Sequence, residues 1–227
     1  MQISVKQQVL EALGFFIAFA LALFLPAGTL AWPAGWVFLL LFFAFYLSVT
    51  FWLYRHNPGL MQERMRLGTP DQKAWDKVLF PLMEISFILW LIFMSLDAVR
   101  FHWSRMLLWV QAIGTLILLC SFSFLFLTFR ENSYLSPVVR VQEERGHTVV
   151  TTGLYRHVRH PMYMAILIFI VGTSLLLGSW YGLIFVIICM AILARRAVLE
   201  EQMLLKELSG YADYKAQVKY RLIPYVW

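Results

Sequence analysis

The chain has 227 residues, of which 61% are apolar and 14% are charged, and its formal net charge is +6. Soluble domains carry about 25% charged residues, so this composition excludes an ordinary soluble domain and predicts a polytopic helical membrane protein. The basic residues lie beside apolar runs, which indicates membrane topology and no nucleic-acid partner. Cys120 and Cys189 lie inside apolar spans without His or Cys neighbours, so we expect buried thiols and no metal site.

Four apolar helices are predicted in the first part of the chain, and each is close to the length that crosses a bilayer. Proline and glycine residues separate the first helix from the second, and Asn57-Pro58-Gly59 ends the second. With two later helices they predict an all-α membrane bundle of about six helical segments. The four predicted spans are residues 9–25, 34–54, 78–96 and 107–129.

The next apolar stretch, residues 162–194, contains no Asp, Glu, Lys, Arg or His. One straight helix of this length would span about 50 Å, whereas the hydrocarbon core of a bilayer is about 30 Å thick. Gly178-Ser179 is the natural break. We therefore predict a short helical hairpin with both charged ends on one side. After Glu201 the chain becomes amphipathic, which predicts an interfacial helix that covers this side.

The distribution of Lys and Arg predicts the orientation. With six helices and a cytoplasmic N-terminus, 17 of the 19 Lys and Arg residues fall in cytoplasmic segments, and only Arg100 and Arg105 fall outside. We therefore predict cytoplasmic N- and C-termini, in the inner membrane if the source is bacterial. Two acidic residues between the second and third spans, Glu63 and Asp76, are expected to be solvated. Glu84, inside the third span, is expected either to shape a pocket or to cap the helix.

Charged residues are concentrated at both ends of the predicted hairpin. A polar segment, residues 146–163, leads into it, and a cluster from Arg195 to Glu201 closes it. Charges at the mouth of an apolar element are costly unless they are paired or used. Pro161 suits the first turn of a helix, whose free N–H groups attract anions, and Arg159 and His160 precede it.

A ligand that matches these groups carries a carboxylate, a cation and a flat heterocycle. The basic turn would take the carboxylate, while Glu200, Glu201 and nearby tyrosines would take the cation. S-adenosylmethionine has all three parts. A zwitterionic phospholipid headgroup would satisfy much of the same set, so these residues leave both ligands open.

The motifs in this region, in their order and spacing, resemble the isoprenylcysteine carboxyl methyltransferase family, which groups with the phospholipid methyltransferases. The motifs are His-x-x-Val, Gly-x-Tyr, Arg-His-Pro-x-Tyr and Glu-Glu. The resemblance implies an S-adenosylmethionine-dependent methyltransferase with a lipophilic acceptor. The residues that it implies in cofactor binding are His147, Thr148, Val149, Val150, Tyr155, His160, Pro161, Met162, Tyr163 and Glu201.

The resemblance also implies an Arg that contacts the acceptor, four residues before a Glu. Arg196 lies four residues before Glu200, whereas Ala197 lies four before Glu201, so the register of this Arg stays open. A carboxylate acceptor needs an Arg to orient it, and Arg196 is the first candidate and Arg159 the second. An amine acceptor needs a carboxylate to hold or deprotonate it, and Glu200 is then the candidate.

The resemblance divides one integral unit into two parts: residues 1–130, on the acceptor side, and residues 131–227, with the cofactor loop, the hairpin and the tail. The implied activity is most like carboxyl O-methylation of an isoprenylated cysteine. Methylation of a phospholipid amine, or of a small thiol or acid, is the alternative. An NADPH-dependent sterol-type reductase shares a related hairpin, but its Asn-Tyr-x-Gly-Asp continuation is absent here. A lipid-binding protein without activity is the third possibility.

Overall fold

The computed structural model describes residues 5–65 and 71–227, and the regular elements in these ranges are all helical. The π-helical turn Leu96–Arg100 extends the fourth helix, and three single 3-10 turns lie at Glu143–Arg145, Gly153–Arg156 and Tyr181–Leu183. The α-helices are α1 Val5–Ala27, α2 Pro33–His56, α3 Pro58–Arg64, α4 Asp76–Ser95, α5 Leu108–Glu131, α6 Pro161–Leu177, α7 Ile184–Glu207 and α8 Tyr211–Gln217.

Six of these segments are apolar enough to form the membrane part. Four are long enough to cross a bilayer, namely Pro33–His56, Asp76–Arg100, Leu108–Glu131 and Tyr181–Glu207, and two shorter ones are Ala12–Ala27 and Pro161–Leu177. Large apolar side chains remain exposed on the outer faces of α1, α2, α4, α5 and α7, as expected of surfaces that meet lipid. The predicted polytopic membrane bundle is confirmed.

The hairpin forms where the sequence predicts it. Gly178 ends α6 with a positive φ of 84°, a conformation that favours glycine. Beside this turn the buried Asp97 accepts hydrogen bonds from the hydroxyls of Ser104 and Ser179. The second arm is longer than predicted, because α7 continues through the charged cluster to Glu207. The acidic pair and Arg196 therefore lie on a rigid helix.

Two glycines let α5 and α6 approach closely. A Cβ added at Gly114 would lie 2.5 Å from the backbone N of Leu176, and one added at Gly172 would lie 2.5 Å from the backbone N of Leu118. Leu118 and Ile170, at the same contact, are almost fully buried. This packing joins the first half of α5 to the last half of α6, and the polar segment connects the two helices at their other ends.

The tail after α7 differs from the single interfacial helix that the sequence predicts. Gly210, with a φ of 81°, interrupts the helix, and α8 has only seven residues. The apolar side chains of the tail, Leu208, Tyr211 and Val218, pack with Tyr155 in a buried cluster. The tail therefore lies against the segment between α5 and α6.

Gly172→Ala tests the close contact between α5 and α6. We expect this change to lower the free energy of unfolding by about 1–3 kcal/mol, because the new Cβ must displace the α5 backbone. Thermal unfolding in detergent measures the effect. Gly14→Ala in α1 is the control, since nothing lies within 4 Å of a Cβ added there. An unfolding midpoint for Gly172→Ala that equals that of Gly14→Ala would contradict the account.

Candidate cofactor and acceptor site

A partly open cavity lies where the segment between α5 and α6 meets α7 and the tail. Its wall contains Glu200, Arg159 and Arg196, and Tyr211 and Tyr214 of α8. It also contains nine of the ten predicted cofactor residues, which are His147, Thr148, Val149, Val150, Tyr155, His160, Pro161, Met162 and Tyr163.

The two adjacent glutamates face in different directions. Glu200 lines the cavity and accepts a hydrogen bond of 2.6 Å from the hydroxyl of Tyr163. Glu201 is 1% exposed and does not line the cavity, and its contact with the cofactor stays a prediction. Its carboxylate instead lies 2.7 Å from Nε of Arg159 and 3.2 Å from Nε of Arg221.

Arg159 is engaged by the protein itself. Besides Glu201, its guanidinium donates to the carbonyls of Val218 and Lys219, at 2.5 and 2.9 Å. Its backbone N–H donates to Tyr220, and the next N–H, of His160, donates to Arg221. Arg159 also lines the cavity, so its role as the second candidate to orient an acceptor stays a prediction. It holds the tail against the start of α6.

Two buried polar atoms at the cavity wall point to a ligand. His160 Nε2 and Tyr211 Oη have no hydrogen-bond partner among the described residues. The His160 nitrogen lies 3.3 Å from Glu201, but without the geometry of a hydrogen bond. Buried polar atoms of this kind are rare, and a bound molecule is one way to satisfy them. Burial raises the pKa of Tyr211, so its hydroxyl stays a donor.

His147 contributes a neutral donor to the same wall. Burial, followed by the charges of Arg145 and Arg140, lowers the pKa of His147 to about 4. Its Nδ1 accepts from the backbone N–H of Gln142 at 3.3 Å, so the proton of the neutral ring is on Nε2. The ring stacks on Tyr134, with 4.3 Å between the centroids.

Arg196 is buried at the junction of α4 and α7. Its Nε donates to Asp76 at 2.9 Å, and its Nη2 donates to the carbonyl of Pro137 at 2.6 Å. The guanidinium carbon lies 5.9 Å from the ring centroid of Phe80 and 5.8 Å from that of Tyr163. No hydrogen bond to a residue in the described ranges involves Nη1. Both N–H groups of this nitrogen therefore remain for a ligand.

Two buried carboxylates outside the cavity wall were not predicted, because their side chains were expected to be solvated. Glu63 is 2% exposed and Asp76 is fully buried, which overturns that expectation. Glu63 accepts two hydrogen bonds of 2.8 Å from Arg140, and these raise the pKa of Arg140 above its ordinary value. The segment between α5 and α6 folds back onto α3 and the start of α4, so both carboxylates become enclosed.

Three further charged residues near the apolar helices lie outside the site. Arg156 and Arg195 are exposed, as expected of residues that set topology. Glu84 is exposed on α4 and does not line the cavity. No group of three or more His, Cys, Asp or Glu side chains that could hold a metal occurs within the part of the chain that the structure describes.

Known proteins match both the polar segment and the fold. A model of the isoprenylcysteine carboxyl methyltransferase (ICMT) family matches residues 133–206. The protein-S-isoprenylcysteine O-methyltransferase of Schizosaccharomyces pombe is 32% identical over 85 residues, which are 37% of this chain and 36% of that protein. The protein of the same name from Saccharomyces cerevisiae is 34% identical over 85 residues, again 37% and 36% of the two chains. Protein-S-isoprenylcysteine O-methyltransferase B of Arabidopsis thaliana is 33% identical over 84 residues, 36% of this chain and 42% of that protein.

The matches to these curated relatives span only about two fifths of their length or less. The structural likeness is wider. The solved structure of the eukaryotic intramembrane Ras methyltransferase ICMT superposes with a TM-score of 0.67 at 19% identity, over 95% of this chain and 75% of that one. At this identity the likeness shows the fold. Residues 133–206, which carry the motifs that form the cavity wall, are similar to the isoprenylcysteine carboxyl methyltransferase family.

Proposed function

We propose that the protein is an integral membrane methyltransferase that uses S-adenosylmethionine and acts on a lipophilic acceptor, most like an isoprenylated cysteine carboxylate. The cavity carries this proposal, because the family motifs, Glu200 and two unsatisfied polar atoms meet in its wall. The names of the relatives support a methyltransferase, and no comparison supports the reductase alternative.

The cavity wall fits the parts of S-adenosylmethionine, which when bound supplies a methyl group on a sulfonium. Glu200 and the tyrosine rings would stabilise positive charge. The start of α6 would receive the carboxylate through the backbone N–H of Met162, because the N–H groups of His160 and Tyr163 are engaged and Pro161 has none. His147 Nε2 and Tyr211 Oη would donate hydrogen bonds to the remaining polar atoms.

Arg196 would orient the acceptor. The family pattern places the Arg that contacts the acceptor four residues before a Glu. Because Glu200 lines the cavity, we take Glu200 as that Glu, and the Arg is then Arg196. An acceptor carboxylate is ionised at pH 7 and needs no general base. The residues of the site then act by holding the carboxylate through Nη1 and by excluding water. Glu200 also suits an amine acceptor, which keeps phospholipid N-methylation as the second candidate.

The cavity would open to the cytoplasm. The basic residues of the polar segment and of the tail lie at the same end of the bundle as the cavity, whereas Arg100 follows α4 at its other end. The positive-inside rule then makes the cavity end cytoplasmic, together with both termini. A lipophilic acceptor would reach the cavity laterally from the bilayer.

Methyl transfer is tested directly with the full chain in membranes, methyl-labelled S-adenosylmethionine and N-acetyl-S-farnesylcysteine as the acceptor. We expect a labelled, base-labile methyl ester, because Arg196 is placed to orient a carboxylate. A parallel reaction contains native membrane lipids only. Label on a lipid amine with none on the farnesylcysteine would replace the carboxyl reaction with N-methylation. No label in either reaction, together with no binding of S-adenosylhomocysteine, would reject a methyltransferase.

Glu200→Gln and Glu201→Gln are a matched pair, because the two residues are adjacent but face different surroundings. We expect Glu200→Gln to weaken binding of S-adenosylmethionine about tenfold or more with little change in the unfolding midpoint. Glu201→Gln should instead lower the midpoint, because Arg159 then stays buried without its carboxylate. Calorimetric binding and thermal unfolding in detergent separate the two effects. Equal loss of affinity with unchanged midpoints in both variants would contradict this division.

We expect His147 to hold the ligand as a neutral ring. Its lowered pKa also makes the free energy of unfolding depend on pH. Its folded pKa of about 4 lies below the ordinary 6.5, so the unfolded chain binds the proton first as the pH falls. Its contribution to stability is therefore complete above pH 6.5 and decreases between pH 6.5 and 4. Between pH 7.5 and 5 the parent should lose more of its unfolding midpoint than His147→Gln. Parallel pH curves for the two proteins would contradict the lowered pKa.

A further inference from the structure

Asp76 is a buried carboxylate outside the segment that matches the family. It is the first residue of α4 and is fully buried. It accepts hydrogen bonds from Nε2 of Gln72 at 3.0 Å, from the backbone N–H of Val139 at 2.9 Å and from Nε of Arg196 at 2.9 Å. These donors belong to three different parts of the chain, namely the segment before α4, the segment between α5 and α6, and α7.

We propose that Asp76 is a positioning residue that fixes the guanidinium of Arg196 for the acceptor carboxylate. This inference rests on the proposed function, and it gives the N-terminal helices a defined part in acceptor recognition. Asp76 does not line the cavity, whereas Arg196 does. Asp76 therefore acts through Arg196.

The contacts of Arg196 leave it one orientation. Asp76 holds Nε, the carbonyl of Pro137 holds Nη2, and the ring centroids of Phe80 and Tyr163 lie within 6 Å of the guanidinium carbon. A guanidinium is planar, so fixing two of its nitrogens fixes the direction of the third. Nη1 is then held in place before the acceptor binds, and less side-chain entropy is lost on binding.

The charge of Asp76 also matters, because a buried guanidinium without a carboxylate is strongly unfavourable. In Asp76→Asn the charge is lost and an amide NH₂ has to replace one carboxylate oxygen. Both oxygens of Asp76 accept hydrogen bonds, one from Arg196 and the other from the backbone N–H of Val139. The NH₂ of the asparagine would therefore face one of these two donors without an acceptor. We therefore expect Arg196 to leave its position in this variant. Phe80→Leu is the second variant, since it loosens the guanidinium without burying an unpaired charge.

The test measures acceptor and donor kinetics separately with the full chain in membranes, with N-acetyl-S-farnesylcysteine and labelled S-adenosylmethionine. We expect Asp76→Asn and Phe80→Leu to lower kcat/KM for the acceptor about tenfold or more, while KM for S-adenosylmethionine changes by less than twofold. Asp76→Glu, which keeps the charge, should recover part of the loss. In an Arg196→Gln background, Asp76→Asn should cause no further loss, because its effect passes through Arg196.

Glu63→Gln is the matched control. Glu63 is also a buried carboxylate paired with an arginine, but its partner is Arg140, from which it accepts two hydrogen bonds. We expect it to lower the unfolding midpoint and to leave KM for the acceptor within twofold. Parent-like acceptor kinetics in both Asp76→Asn and Phe80→Leu, or an additive loss in the Arg196→Gln background, would overturn the role of Asp76. Absence of transfer by the parent would contradict the proposed function, and this inference with it.

Discussion

The ion pair between Arg159 and Glu201 is the contact on which the rest of the site depends. Its two residues lie 42 positions apart, at opposite ends of the α6–α7 hairpin, yet their side chains meet at 2.7 Å and are almost fully buried. Burial of two charges is costly unless the geometry is good and the remaining donors are satisfied. Here the tail carbonyls satisfy the guanidinium, so the hairpin, the start of α6 and the tail are held as one body.

Two further pairs surround the same cavity. Arg140 meets Glu63 of α3, and Arg196 meets Asp76 at the start of α4. Each pair joins a segment at the cavity to a different part of the bundle. Three arginines are therefore paired with carboxylates of the protein before any ligand binds. The groups that remain for a ligand at the cavity wall are few: Glu200, His147, His160, Tyr211 and Nη1 of Arg196.

Features encoded locally were predictable. A charge-free stretch too long for one crossing, interrupted at Gly178, predicts the hairpin, and the ordered motifs predict nine residues of the cavity wall. Burial of Glu63 and Asp76 was not predictable, because their arginine partners lie 77 and 120 positions away. Glu200 and Glu201 differ because adjacent residues on a helix point about 100° apart, and here Glu200 lines the cavity while Glu201 is buried behind it. The tail was mispredicted because periodicity alone does not show that Gly210 adopts a positive φ.

The most direct test of this account is an experimental structure of the full chain with S-adenosylhomocysteine bound in a lipid bilayer. The account predicts that the ligand lies in the cavity, touches Glu200 and the His160-Pro161 turn, and leaves the Arg159–Glu201 pair intact behind the wall. A ligand bound elsewhere, or a contact between the ligand and Glu201 that replaces Arg159, would contradict it.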